Sequence, residues 1–284
     1  MDFLQPTTWA DALVAKAEHP DARPIAGGTD VMVELNFDRR RPAALLDLNR
    51  IAELNEWSVD NGHVRLGAGV TYTRIIDELA PRLPGLAVAS RTVGSPQIRN
   101  RGTVGGNLGT ASPAGDAHPP LLAVDTVIEV ESVRGRRAIP ITEFFTGPKS
   151  NAIAADELIA AARVPVATGP QQFSKIGTRN AMVIAVASFA VALDPERRQV
   201  LTGVGSAAPT PRRAPDAEAL AGRALDWDGL GPLDPDLARR FGGLVGAAAD
   251  PIDDVRGTAA YRRHALAVMA RRTLTWAWDE HRRI

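Results

Sequence analysis

The stretch Arg23-Pro24-Ile25-Ala26-Gly27-Gly28-Thr29-Asp30-Val31-Met32-Val33-Glu34-Leu35 decides how the rest of the chain is read. Arg23 to Ala26 reads as a short strand, Gly27-Gly28 as a turn and Asp30 to Leu35 as a helix, with an apolar strand from Ala44 to Leu48 after it. Upstream, Thr8-Trp9-Ala10-Asp11 resembles a capping box for a short helix through Ala12, Leu13 and Ala17, closed by Pro20. Strand, Gly turn, helix and strand in this order make a small α/β lobe. The paired glycines have a second meaning. With no Cβ in the way, backbone N–H groups can converge on an anion, while the helix start and the Thr29 hydroxyl add to the attraction. A pyrophosphate suits such a place, although a plain turn is the commoner use of an isolated Gly-Gly-Thr.

Downstream, Val64, Leu66, Ala68 and Val70 alternate with Arg65, Gly67 and Gly69 as a period-2 strand. Thr71 then caps a helix whose Tyr72, Ile75, Ile76 and Leu79 share one apolar face. Residues 91–120 lose all periodicity and read as a long irregular segment, which in a compact domain points to function. Strands return at Val127–Val133 and Leu158–Val164, and residues 166–170 read as a linker. Beyond it lie strands at Phe173–Ile176, Val183–Leu193 and Val200–Ser206, a Pro-rich turn from Pro209 to Pro215, and helices near Leu237–Ala248 and Tyr261–Trp278. The side of the last helix turned away from its apolar face is basic and reads as solvated.

Inside the irregular segment stands a second glycine cluster, Arg99-Asn100-Arg101-Gly102-Thr103-Val104-Gly105-Gly106-Asn107-Leu108, followed by Ser112-Pro113-Ala114-Gly115-Asp116 and Pro119-Pro120-Leu121-Leu122. It repeats the logic of the first, a Gly-Gly pair beside Thr and Asn, and Asp116 is a candidate acceptor for ribityl or ribose hydroxyls. Neither cluster is G-x-G-x-x-G or GxxxxGK[ST], so the two familiar phosphate-binding folds are excluded.

Composition removes further classes. With no cysteine among 284 residues there is no thiolate nucleophile, cysteine-held zinc or self-held iron–sulfur cluster. The five histidines have no ligand spacing, and His118 is expected to be a surface or hydrogen-bonding residue. No Ser-His-Asp set is visible. Lys+Arg and Asp+Glu balance at 33 each, which gives no pull towards nucleic acid or anionic lipid. No leader-like start and no membrane-length apolar run occur, so a cytoplasmic protein is expected.

Taken together, AGGTD from residue 26, RNRGTVGGNL from 99, SPAGD from 112 and PPLLA from 119 resemble the FAD-binding middle subunit of the molybdenum hydroxylases. That family includes the carbon monoxide dehydrogenase medium subunit and the flavin domain of xanthine dehydrogenase. The resemblance extends along the whole chain, through Ile51-Ala52-Glu53-Leu54 to the Tyr261-Arg262 helix. It implies an α+β fold: a two-lobed FAD-binding domain of the vanillyl-alcohol-oxidase and MurB type (1–52 and 53–168) and a C-terminal domain with a small antiparallel sheet and helices (169–284). It also implies non-covalent FAD, with Ile25, Ala26, Gly27, Gly28, Thr29 and Asp30 as the first pyrophosphate loop and Thr103, Gly105, Gly106 and Asn107 as the second. Asp116 falls at the flavin's polyol chain, and Val93, Gly94 and Ile159 near its ring. Lys175 falls beside the ring, where a cation would stabilise negative charge, with a solvated strand residue as the plain alternative. Val183 stands where relatives often carry Asp, so it is left out of the site. The implied function is electron transfer from [2Fe–2S] clusters on a small partner subunit, fed by a large molybdopterin subunit, to an external acceptor, in a dimer of heterotrimers. No residue here has to act on the organic substrate. A stand-alone FAD oxidase of the vanillyl-alcohol-oxidase type and a flavin-free nucleotide-binding assembly module stay open as alternatives.

Overall fold

Two glycine loops, one after a strand and one before a helix, are brought side by side in the computed structural model, which describes residues 1–39 and 41–283. The chain opens with β1 (Asp2–Leu4), α1 (Trp9–Glu18), β2 (Arg23–Ile25), α2 (Val31–Asn36) and β3 (Ala44–Asp47). Thr8 caps α1 as its sequence predicts, accepting a hydrogen bond from the Asp11 N–H. The three strands form a parallel sheet in the order β1-β3-β2, so β2 delivers the first glycine loop at the sheet's end.

Next come β4 (Trp57–Asp60), β5 (His63–Gly67), α3 (Tyr72–Glu78), α4 (Pro84–Arg91), α5 (Pro96–Arg101), α6 (Val104–Thr110) and α7 (His118–Leu122). They are followed by β6 (Val127–Ser132), β7 (Gly135–Pro140), α8 (Ile141–Phe144), the two-stranded β8 (Phe145–Gly147) and β9 (Ser150–Asn151), and β10 (Leu158–Pro165). Here the expected irregular segment at 91–120 is corrected: it contains α5, α6 and α7. Each is too short to display an amphipathic period, and each starts on local chemistry instead. The Ser95 hydroxyl accepts from the Ile98 N–H, Pro96 occupies the first turn, and Thr103 caps α6. The predicted strand through Val70 ends at Gly67, because the backbone turns in against Leu54: the Gly69 N–H donates to the Leu54 carbonyl at 2.8 Å.

A five-stranded antiparallel sheet, β4-β5-β10-β6-β7, backs this region. Ile128 and Val130 of β6 turn into the core while Glu129 pairs with Arg65 outside. A bulge in β10 between Ile159 and Ala161 leaves Ala160 outside the ladder to β6, and its carbonyl accepts from the Ala68 N–H.

The last part holds β11 (Gln171–Ile176), β12 (Ala187–Asp194), β13 (Gln199–Gly205), α9 (Pro215–Ala224), α10 (Pro235–Ala248) and α11 (Ala259–His281), with the strands antiparallel in sequence order. Strand β12 is covered on both faces. Phe189, Val191 and Leu193 join the core under α10 and α11, and the alternate Ala190 and Ala192 meet Ala89, Ala123 and Phe173 in a second core. Alanine on that face lets α4 and α7 approach closely, which ties the last sheet to the preceding part of the chain. The basic side of α11 is not wholly solvated. Arg262 is buried and donates to the Val186 and Ser206 carbonyls and to Asp254.

Candidate functional site

A cavity of about 780 Å³ lies between the glycine loops, within the usual range for cofactor pockets. Of the residues expected from the sequence to form the site, all except Ile25 line it: Ala26 to Asp30, Val93, Gly94, Thr103, Gly105, Gly106, Asn107, Asp116, Ile159 and Lys175. Ile25 ends β2 beneath the loop and is buried.

The two loops are in direct contact. A Cβ on Gly27 would sit 1.8 Å from the Arg101 carbonyl oxygen, and one on Gly105 would sit 2.5 Å from the Ala68 Cβ. These glycines serve backbone packing. Gly28 serves the turn, with φ of +74°, a region that favours glycine. Gly106 is different: among the described residues its Cβ would meet the Thr103 hydroxyl alone, at 3.1 Å, and it is exposed in the cavity wall. Asn49, just after β3, braces the first loop by donating to the Ala26 carbonyl at 2.8 Å.

The Arg-Asn-Arg triplet divides its labour. Arg99 Nη1 donates to the carbonyls of Arg91, Val93 and Gly94 at 3.1, 3.2 and 3.2 Å, fixing the turn that presents Val93 and Gly94. Asn100 Oδ1 accepts from the Thr73 hydroxyl at 2.6 Å, and Arg101 lines the cavity.

Asp116 stands at the polar end, buried. Its Oδ2 accepts from Lys175 Nζ at 2.5 Å and from Thr92 Oγ1 at 3.2 Å. Burial pushes its carboxyl above the usual carboxylate range, opposed by the Lys175 charge and by hydrogen bonds from Lys175 and Thr92. The solvated alternative for Lys175 is corrected, since its side chain is only 8% exposed. Among the described residues, four buried atoms on residues that line the cavity lack a hydrogen-bond partner: Asp116 Oδ1, Asn107 Oδ1, Tyr72 Oη and Arg23 Nε. Each costs about 1–3 kcal/mol if left so. Asp116 Oδ1 and Asn107 Oδ1 are pure acceptors and Arg23 Nε is a pure donor, so the pocket asks for a ligand that brings both hydroxyl donors and anionic acceptors, as a ribityl flavin with its pyrophosphate does. These residues fit FAD.

Of the two expectations for His118, the structure shows the hydrogen-bonding one and corrects the surface one. His118 is fully buried, with its ring 4.6 Å from that of Phe145 and Nε2 3.3 Å from the Asn107 carbonyl. Burial pulls its pKa down to about 4, so it is neutral at physiological pH. Gly115 makes room for it, because a Cβ there would lie 2.3 Å from the ring. Sequence reasoning missed Tyr72, whose apolar helical spacing concealed a hydroxyl aimed inward, and also Val183, which lines the cavity beside Met182 and Ile184. Burial and the charge of Asp116 raise the Tyr72 phenol well above its ordinary pKa. No cluster of metal-ligating side chains exists among the described residues.

The family model described as the FAD binding domain in molybdopterin dehydrogenase matches residues 1–167, and that of the CO dehydrogenase flavoprotein C-terminal domain matches 172–277. This chain belongs to the FAD-binding subunits of the molybdopterin dehydrogenases. The nicotine 6-hydroxylase medium subunit of Paenarthrobacter nicotinovorans is 31% identical over 280 residues, covering 97% of this chain and 96% of that one. The putative xanthine dehydrogenase FAD-binding subunit of Escherichia coli (strain K12) is 32% identical, with 97% and 95% coverage. Among solved structures, carbon monoxide dehydrogenase from Hydrogenophaga pseudoflava superposes with a TM-score of 0.91 at 27% identity, covering 99% and 98%. As a member of this FAD-binding subunit family, the chain is the flavin subunit of a multi-subunit oxidoreductase. No helix among the described residues is long and apolar enough to cross a membrane.

Proposed function

We propose that this chain carries electrons from the [2Fe–2S] clusters of a small partner subunit to an external acceptor, the electrons having been taken from substrate by a large molybdopterin subunit. FAD, when bound, can exchange electrons singly or in pairs, which joins one-electron clusters to a two-electron acceptor. In this reading Ala26 to Asp30 and Thr103 to Asn107 flank its pyrophosphate, with Ile25 supporting the first loop. Asp116 accepts a hydrogen bond from the polyol chain, with Lys175 behind it, and Val93, Gly94 and Ile159 border the ring. Residues 1–52 and 53–168 form the two lobes of a vanillyl-alcohol-oxidase and MurB-type domain, and 169–284 closes one side. The working assembly is a cytoplasmic dimer of heterotrimers.

The observation that carries this reading is the set of partnerless buried atoms, Asp116 Oδ1, Asn107 Oδ1, Tyr72 Oη and Arg23 Nε, on residues of one cavity between two touching glycine loops. The cavity offers a bound flavin acceptors and close backbone, and the chain has no cysteine with which to hold a cluster of its own. The test is co-expression with a cysteine-rich chain and a large chain encoded for the same complex. Purified alone, the protein should bind FAD and oxidise no aldehyde, purine or carbon monoxide. In the assembled complex the substrate should bleach the flavin, and omitting the iron–sulfur chain should abolish this. Substrate-driven bleaching in the isolated chain would instead favour the oxidase.

A further inference from the structure

Lys175 and Asp116 are far apart in sequence and belong to different sheets' surroundings. Lys175 sits on β11, whose place is fixed from both sides. The Gly85 N–H of α4 donates to Gln171 Oε1 at 3.2 Å, Phe173 is buried in the junction core with Ala89 and Ala123, and Ser174 shares a 2.8 Å hydrogen bond with Thr273 of α11. From this base Nζ reaches across the junction to Asp116 Oδ2 at 2.5 Å and to the Thr92 carbonyl at 3.2 Å. Thr92 Oγ1 also lies 3.2 Å from Oδ2, its one proton shared with the Ala89 carbonyl at 2.8 Å. One carboxylate oxygen is therefore held by Lys175 with a share of the Thr92 proton, and the other, buried, has no partner among the described residues. The loop bearing Asp116 is held from the same direction, since the Ser206 N–H after β13 donates to the Pro113 carbonyl at 2.8 Å.

The arrangement differs from a cation placed beside a flavin ring. The ammonium already has two acceptors, and its nearest contact is the carboxylate itself. A carboxylate clamped through Oδ2 cannot rotate, so Oδ1 keeps a single direction, and a fixed acceptor loses less entropy when it binds. We propose that Lys175 is a positioning residue that acts on the cofactor through Asp116, clamping Oδ2 so that Oδ1 is presented to a cofactor hydroxyl. The C-terminal part of the chain thereby contributes to FAD affinity through a residue of the preceding part. This inference rests on the FAD reading above.

The test is a double-mutant cycle on the full-length, deflavinated chain, titrated with FAD by flavin fluorescence quenching. The variants are Lys175→Met, Asp116→Asn and the double replacement, which leaves no lone buried charge if the first should fold poorly. Melting temperatures of the four apoproteins form the control that a merely structural lysine would move. Asp116→Asn should weaken binding by about ten- to a hundredfold and Lys175→Met by at least about tenfold. The double variant should bind within about twofold of Asp116→Asn alone. Multiplying losses in the double variant would mean that Lys175 serves the cofactor independently, and wild-type affinity in Lys175→Met would mean that it serves only the fold; either result overturns the inference. An Asp116→Asn variant with unchanged affinity also overturns it. A wild-type chain that takes up no FAD would bring down the cofactor reading itself.

Discussion

Replacing Gly106 by valine should leave the chain folded and empty of FAD, whereas replacing Gly27 by alanine should damage the fold first. At Gly106 the neighbour a new Cβ would meet among the described residues is the Thr103 hydroxyl, 3.1 Å away. Because Thr103 caps α6 by accepting from the Gly106 N–H at 2.9 Å, disturbing it costs about 1 kcal/mol. Removing a glycine from a helical turn returns about 0.5–1 kcal/mol. The two nearly cancel for alanine, and the melting temperature of a chain this size should move by less than about 4 °C. At Gly27 the new Cβ would lie 1.8 Å from one backbone atom of Arg101 and 2.4 Å from another, and no rotamer change can relieve that. Overpacking of this kind costs about 1–3 kcal/mol or more. For the ligand the order reverses. A side chain at 106 enters the cavity and takes space from the phosphates. Losing two charge-assisted hydrogen bonds at about 1.5–3 kcal/mol each lowers affinity by more than about a hundredfold. The assay pairs apoprotein melting by circular dichroism with FAD titration for Gly106→Ala, Gly106→Val and Gly27→Ala. Gly106→Val binding FAD within about threefold of wild type, or melting as low as Gly27→Ala, would refute the division between a ligand-facing and a fold-serving glycine.

Acid should weaken the fold through His118. Its folded pKa of about 4 lies below the ordinary value of 6.5, so its contribution is complete above pH 6.5 and is lost as pH falls towards 4, by about 3 kcal/mol in full. Urea unfolding between pH 4 and 7 should show a flatter profile in His118→Gln, and an identical profile would dismiss the residue. Arg262→Met removes three donated hydrogen bonds at 2.6–2.7 Å from a buried guanidinium. It should cost about 3–5 kcal/mol, read as a lowered urea midpoint, and a change within 0.5 kcal/mol, the ordinary range for surface substitutions, would show that the cluster is dispensable.

The parts of the fold legible in the sequence are those where one local signal acts alone. Thr8 and Thr71 cap helices, the Ile128 and Val130 alternation marks a half-buried strand, and paired glycines mark loops. That the residues around Gly27, Gly105 and Gly106 would line one cavity was legible because those glycines recur beside Thr and Asn, even though two of them turn out to serve contact between backbones. The region of α5 to α7 was not legible, since helices of five to seven residues are too short to leave a periodic trace, whether buried throughout as α7 is or with no buried residue as in α5. Helix α9 was hidden by the prolines before it, one of which occupies its first turn. The burial of Lys175 and His118 could not be read at all: a lysine in a strand and a histidine before two prolines look solvated until the partner from another element is in place. Tyr72 was correctly put on a buried face, but whether its hydroxyl meets solvent or a cavity depends on the distant Asp116 loop.

The close approach of α7 to β13 limits how the chain can be recombined. A Cβ on Gly203 would lie 2.0 Å from the Pro119 carbonyl oxygen, and one on Gly205 would lie 2.8 Å from the Pro119 ring. The two family matches meet between residues 167 and 172, where a chimera with a relative would most simply be joined. The linker is not where such a hybrid succeeds or fails. A donor segment with any larger residue at the position of Gly203 would push the sheet off α7. It would carry β11 and Lys175 away from Asp116, and the hybrid would keep both glycine loops while losing the clamp behind them. Exchangeability of the C-terminal part is thus set by two glycines more than thirty residues beyond the splice.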